Sequence, residues 1–196
     1  LILGLEMKGI PVYAFMPLVP GVFEAQMIRS RGLPGQRAHF EAFARLYGDV
    51  HAEYSEILAT QLVDRQVRTS RIIPIKQSID ASPGIMPLAT DHFEALAERS
   101  SSFALVNVCA CRWEHELVGE GCGKPLDVCT CLGWIAERLI ERGLARRISR
   151  EEFLEVKARA TEAGLVQLTD NLRDPLQVCS CCSCCCTGLK MVKEHN

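Results

Sequence analysis

The sequence predicts an α+β fold, mostly helical, in two parts. Residues 1–105 read as an N-terminal helical scaffold with short strands, and 106–196 as a cysteine-rich domain. Three observations carry this. Apolar residues recur at three- and four-residue steps through long stretches, the period of an amphipathic helix. Short apolar runs bounded by Pro and Gly interrupt that period and read as strands. All eleven cysteines lie after residue 108, and six of them fall within the eight residues 179–186.

In chain order, Val12–Met16 reads as a short strand that Pro17 and Pro20 stop from lengthening. Val22–Ile28 reads as a short helix, and Arg29–Gly35 as a loop. From Gln36 to Val63 the residues Phe40, Phe43, Ala44, Tyr47, Val50, Tyr54, Ile57, Leu58 and Leu62 keep helical spacing. Gly48 weakens that helix by roughly 1 kcal/mol relative to Ala. The aromatic stripe on it reads as core. Arg71–Ile75 is expected to be an edge strand, and Ser82-Pro83-Gly84 a turn. Asp91 with Glu94 reads as a capping box opening a helix to Arg99, and Phe103–Val108 as a buried strand.

Pro125 is expected to open the next helix, through Val128, Cys129, Leu132, Ile135, Ala136, Leu139 and Ile140, with Gly143 as its stop. Ser149 with Glu152 forms the clearest capping box, for a helix ending at Gly164. Leu165–Leu168 reads as a strand, Asp170-Asn171 and Asp174-Pro175 as a loop, and Leu189–Glu194 as a last helical turn.

A hydrophobic content of 48% suffices for a core without covalent staples. The net charge of −2, from 22 basic and 24 acidic residues, gives no electrostatic case for nucleic acid. No apolar run reaches the about 18 residues of a membrane span, so none is expected. The apolar start Leu1–Leu5 is too short for a signal peptide, and without an initiator Met the chain is expected to begin inside a longer one. No Ser–His–Asp set, phosphate-binding loop or dinucleotide fingerprint is present. His51, His92 and His195 show no metal spacing.

The cysteines carry the chemistry. Their odd number, tight spacing and lack of an export signal argue against a disulfide framework and for metal-bound thiolates in a reducing cytoplasm. Neighbours in the run Cys179, Cys181, Cys182, Cys184, Cys185, Cys186 cannot bridge one another without strain. The first block is Cys109, Cys111, Cys122, Cys129 and Cys131. In an extended segment Cys109 and Cys111 point to one face, about 6.5–7 Å apart. Cys122 sits among glycines, which let backbone amides approach closely. Cys129, one turn into the expected helix, gains from its positive N-terminus. A helical hairpin of about fifty residues is expected to fold the two blocks together. Iron–sulfur ligation is the sharpest reading. Zinc is the alternative: Cys181–Cys184 and Cys182–Cys185 have its local spacing, but the first block lacks a second CxxC. Cys131 is the best candidate for a structural free thiol.

The segments Val106-Asn107-Val108-Cys109-Ala110-Cys111-Arg112, Gly119-x-Gly121-Cys122, Pro125-Leu126-Asp127-Val128-Cys129, Ile148–Glu152, Gly164-Leu165-Val166, Asn171 and Val178–Cys185 resemble, in this order, a family of cytosolic 4Fe-4S-binding, ferredoxin-type proteins of anaerobic prokaryotes. Met16–Glu24 is similar to a segment that follows a winged-helix-like region in that family, of which residues 1–16 would be the remnant. The resemblance implies one or two [4Fe-4S] clusters on Cys109, Cys111, Cys122, Cys129, Cys179, Cys181, Cys182, Cys184 and Cys185. It also implies electron transfer and other redox subunits as partners. Cys131 and Cys186 are additional to the pattern. The bacterial ferredoxin module that often follows in relatives is not found in this sequence.

Four residues near the cysteines are read beside them. Arg112 is a candidate for neutralising an anionic cluster, or else for pairing with Asp127 or Glu114. His115 reads as a loop residue. Trp113 and Trp134 are candidates for shielding a cluster or for ordinary core. Two rival functions remain open at this level. One is a redox- or iron-sensing regulator, for which Arg65, Arg68 and Arg71 supply only a thin basic strip. The other is an enzyme acting on substrate at an open cluster site.

Overall fold

The structure, a computed structural model, describes residues 2–7, 9–15, 23–42, 45, 70–75, 92–186 and 189. The chain opens on an antiparallel hairpin of β1 (Ile2–Met7) and β2 (Ile10–Phe15). Gly9, at φ +79°, makes the tight reversal that a side chain would strain. Helix α1 (Phe23–Arg29) follows, and residues 36–42 are helical. The expected helix beyond that point, the turn at Ser82–Gly84, the cap at Asp91 and most of Leu189–Glu194 lie outside the described residues.

A six-stranded antiparallel sheet dominates the rest. Its strands are β3 (Ser70–Ile72), β4 (Phe103–Val106), β5 (Thr130–Leu132), β6 (Ala145–Ile148), β7 (Val166–Asp170) and β8 (Gln177–Cys181), in the order β3-β7-β8-β5-β4-β6. The fold is therefore α+β with a substantial sheet, and the expectation of a mostly helical chain is corrected. The reason lies in strand length. Strands of three to five residues are too short to show a clear period of two. The division expected after residue 105 runs through β4, and β3 and β4 share the sheet with β5 to β8.

Helices cover both faces. Helix α2 (Phe93–Arg99) and helix α5 (Arg150–Glu162) lie over one face. There Leu96, Phe153, Val156 and Ala160 bury Phe103, Leu105, Leu132, Ile148 and Val178. Phe153 is at its centre, 5.3 Å from the ring of Phe103 and edge-on to Phe93. Helix α4 (Gly133–Glu141) takes the other face, where Ala136 packs on Ala104, Cys131 and Ala145. Helix α3 (Ala110–Leu117) continues from β4 and packs against α1 through Met27, Ala110, Trp113 and Leu117.

Local signals worked where they were chemical. The Ser149 hydroxyl accepts the Glu152 N–H at 3.1 Å and starts α5. Gly143, at φ +67°, follows the end of α4. β3 is indeed an edge strand.

Three expectations about the cysteine region are corrected. The helix expected from Pro125 begins only at Gly133, because Thr130–Leu132 is a strand held between β4 and β8. Cys109 and Cys111 do not sit in an extended segment: Cys109 caps α3 and Cys111 lies in its first turn. The segment joining the cysteine blocks is not a helical hairpin, since β6 and β7 interleave with α4 and α5.

Candidate metal centre

Topology brings the two blocks together. The strands are antiparallel, so β4 ends, β5 begins and β8 ends at the same end of the sheet. Helix α3 leaves from β4 there, the loop with Cys122 returns to β5 there, and the tail leaves β8 there. Every cysteine except Cys131 lies on these segments.

The sulfurs sort into two sets. In the first, the Sγ atoms of Cys122, Cys182, Cys184 and Cys185 all lie within 4.8 Å of one another. Cys122 and Cys182 are 3.9 Å apart, and Cys184 and Cys185 3.6 Å. This group could hold a metal ion. Glycine shapes the loop that delivers Cys122. Gly123 turns it at φ +69°, and a Cβ on Gly121 would come within 2.7 Å of Glu116 Cγ. Burial works against the Cys182 thiolate, but the thiols of Cys184 and Cys185 and the Arg112 cation outweigh it, and its pKa falls. Burial pushes the Cys185 thiol up, as do its thiol neighbours.

The second set is a string of thiols near enough to shift one another's protonation. The register that pairs Thr130 with Val178 places Cys129 opposite Cys179. Cys181 lies two residues on, on the same face of β8. Cys109 is drawn beside them by its N–H bond to Leu126 O and by Val106 N–H to Cys129 O. Each thiol in the series Cys111, Cys109, Cys129, Cys179, Cys181 and Cys186 perturbs the next. Hydrogen bonds from Cys109 and Cys179 hold Cys129 well down, and those from Cys179 and Cys186 hold Cys181 at about 5. Cys109, Cys179 and Cys186 are pushed up as the donors.

Two buried cations feel the charge of these sulfurs. Lys157 of α5 is 0% exposed, and its Nζ donates to Val128 O and Val178 O at 2.8 Å and to Ser180 Oγ at 3.2 Å. Burial depresses its pKa to about 8, against the pull of Cys129 and Cys179. Arg112 is 2% exposed and donates Nη1–H to Ser180 O at 2.7 Å. Its Nε and Nη2 have no hydrogen-bond partner among the described residues. Burial opposes its charge, while the sulfurs of Cys109, Cys129 and Cys182 support it. Asp127, one of the two carboxylates expected as its partner, pairs with Arg159 instead at 2.9 Å.

Cys131 belongs to neither set. It is buried against Ala104, Ala136 and Ala145, and burial lifts its pKa to about 12. Cys186, additional to the expected pattern, ends the string beside Cys181. Lys157 escaped the sequence reading because a lysine on an amphipathic helix normally faces water. His115 lies 3.4 Å from Glu120. Trp113 packs in the core below Arg31, whereas Trp134 is 43% exposed. All eleven cysteines are free thiols, and no described helix is long and apolar enough to cross a membrane. No known protein family, curated protein or solved structure matches the chain.

Proposed function

We propose that the chain is a cytoplasmic iron–sulfur electron-transfer protein that relays single electrons within a larger anaerobic oxidoreductase. Cys122, Cys182, Cys184 and Cys185 would hold a [4Fe-4S] cluster, the group that supplies reversible one-electron chemistry when bound. The observation that carries the reading is the meeting of four cysteine sulfurs from two distant blocks within 4.8 Å, with no disulfide among them. The donor set is all sulfur, which suits iron–sulfur clusters and zinc and excludes magnesium and calcium. The unpaired Nε and Nη2 of Arg112 fit a site that becomes anionic when loaded. The order of the cysteine blocks, similar to that of 4Fe-4S-binding ferredoxin-type proteins, supports iron over zinc. Around such a cluster the protein's own part is positional. The loop at Gly123 and the end of β8 present the thiolates, and Arg112 balances their charge.

Sulfur spacing favours a second reading. Separations of 3.6 and 3.9 Å suit a single tetrahedral ion, whose bonds of about 2.3 Å set sulfurs close to 3.8 Å apart. A cubane holds its thiolates farther apart, so loading it requires the tail and the Cys122 loop to spread. The test is electron paramagnetic resonance of anaerobically prepared protein before and after dithionite reduction. A reversible one-electron signal from a coupled cluster is expected. A protein silent in both states and colourless would overturn the iron–sulfur reading in favour of zinc.

A further inference from the structure

Thiols gathered in one group can react with each other as well as with a metal. Cys122, Cys182, Cys184 and Cys185 are free, and their Sγ atoms lie within 4.8 Å of one another. Chain position decides which pair can close, because a disulfide has a fixed length and torsion. Cys184 and Cys185 are 3.6 Å apart, but they are sequence neighbours, and a bridge between neighbours strains the peptide that joins them. Cys122 and Cys182 are 3.9 Å apart and separated by 60 residues of chain, so no short peptide restrains their union. Their sulfurs must close by about 1.9 Å to reach bonding distance. Glycines flank Cys122, with Gly123 at φ +69°, so its loop has the backbone freedom to take up that movement. Cys182 is the fixed side. It directly follows β8, and its carbonyl accepts the Cys186 N–H at 3.0 Å. Access is graded in the same way. Cys184 is exposed, Cys122 is half-buried and Cys182 is buried, so solvent reaches the adjustable sulfur before the fixed one.

We propose that Cys122 and Cys182 form a reversible disulfide, a redox modification site that ties the Cys122 loop to the tail and closes the four-thiol site to metal. The oxidant class is a small disulfide. The Cys122 thiol gives its proton to water, and the thiolate attacks one sulfur of the oxidant. A mixed disulfide forms and the first small thiolate leaves. Cys182, likewise deprotonated, then attacks the Cys122 sulfur. The internal S–S bond forms, the second small thiolate leaves, and both leaving groups regain protons from water. Two protein thiols thus lose two electrons in all, and the S–S bond of the oxidant is reduced to two small thiols. The new bond takes two of the four sulfurs, which leaves too few thiolates for a tetrahedral thiophilic ion. It also closes a long loop in the unfolded chain, so the oxidised protein resists unfolding more than the reduced one. The gating of metal rests on the preceding reading of these thiols as ligands; the cross-link itself does not.

The test treats the full chain, reduced and metal-free, with oxidised glutathione under argon, and maps its disulfides by mass spectrometry of non-reduced peptides. A link between Cys122 and Cys182 is expected, and dithiothreitol should reverse it. Cys184→Ser should keep the link, and Cys122→Ser and Cys182→Ser should each lose it. The urea midpoint of wild type should rise on oxidation, and that of either variant lacking the link should not. Co2+ is then added, since its thiolate charge-transfer bands report occupied thiolate sites. Oxidised wild type should give only the weaker bands of Cys122→Ser/Cys182→Ser, and dithiothreitol should restore the rest. Far-UV circular dichroism shows that each variant is folded, and the peptide map of wild type stands without them. The proposal is overturned if the map joins Cys182 to Cys184 or Cys185, or leaves Cys122 free. It is equally overturned if linked wild type takes up as much Co2+ as reduced wild type. Failure of the metal reading shows separately, as reduced wild type that gives no cobalt thiolate bands and still forms the link.

Discussion

Arg112→Met separates a cation that serves a metal centre from one that serves the fold. The side chain is 2% exposed and donates to Ser180 O at 2.7 Å, with the Cys182 sulfur beside it. Methionine of similar length removes the bond, about 1.5–3 kcal/mol for a charged donor. It also removes the desolvation of a guanidinium, several kcal/mol in the opposite sense. In the metal-free protein these nearly offset, and the change in unfolding free energy should stay within about 2 kcal/mol. In the loaded protein the balance differs. A unit charge several ångströms from the thiolates, at an effective dielectric of about 20, contributes about 2–3 kcal/mol. Metal affinity should fall by roughly 30- to 150-fold. A nearby cation favours the reduced, more negative state, so its loss should lower a one-electron potential by about 100 mV, at about 59 mV per tenfold. Urea unfolding of metal-free protein, chelator competition and spectroelectrochemistry read these quantities, and Arg112→Lys should recover most of the potential. Strong destabilisation of the metal-free protein, above about 4 kcal/mol, with affinity and potential unchanged, would refute the reasoning and make Arg112 a structural residue.

Other expectations follow from the same geometry. Phe153→Ala, at the centre of the main core, should cost about 3–5 kcal/mol in urea unfolding; a loss below 1 kcal/mol would mean that the core is organised elsewhere. Cys131→Ala should leave metal content unchanged and cost only about 1 kcal/mol, since its thiol touches neither sulfur set. A drop in bound metal would place it among the ligands. Glu137 is held down at about 2, chiefly by its bonds from Arg147 and Ser102. Its folded pKa is depressed, so its contribution is present above the ordinary carboxyl pKa and is lost as pH falls through about 2. Because the pair is partly solvated, Glu137→Gln should cost at most about 1 kcal/mol at pH 7 and nothing near pH 2. Equal costs at the two pH values would contradict the ion pair.

Sequence made the capped and stopped elements legible. Ser149 with Glu152, Gly143 and Gly164 all carry a local chemical signal, and each takes its expected place; the strand expected over Leu165–Leu168 instead runs from Val166 to Asp170. The strands that position the cysteines were not legible in the same way. Val128, Leu132, Ile135, Ala136 and Leu139 keep helical spacing across a boundary where the chain is a strand, then a helix. Gly133, at φ +59° with its N–H on Ser102 O, marks the break, and an isolated glycine within a helical pattern was the available warning. β6 hides because Arg146 and Arg147 are both exposed and only its two ends are buried. Cys179 and Cys181 belong to β8 through pairing with β7 and β5, a long-range fact that spacing alone does not encode. The cysteine blocks themselves were plain. Their division into four, six and one was not, since it depends on which sulfurs the sheet end brings into contact.

In the proposed reading these thiols hold iron with sulfide. Iron, acid-labile sulfide and zinc measured per chain on anaerobically purified full-length protein test it most directly. Iron and sulfide are expected in equal amounts, about four of each for every cluster, with little zinc. Stoichiometric zinc with no sulfide would contradict it.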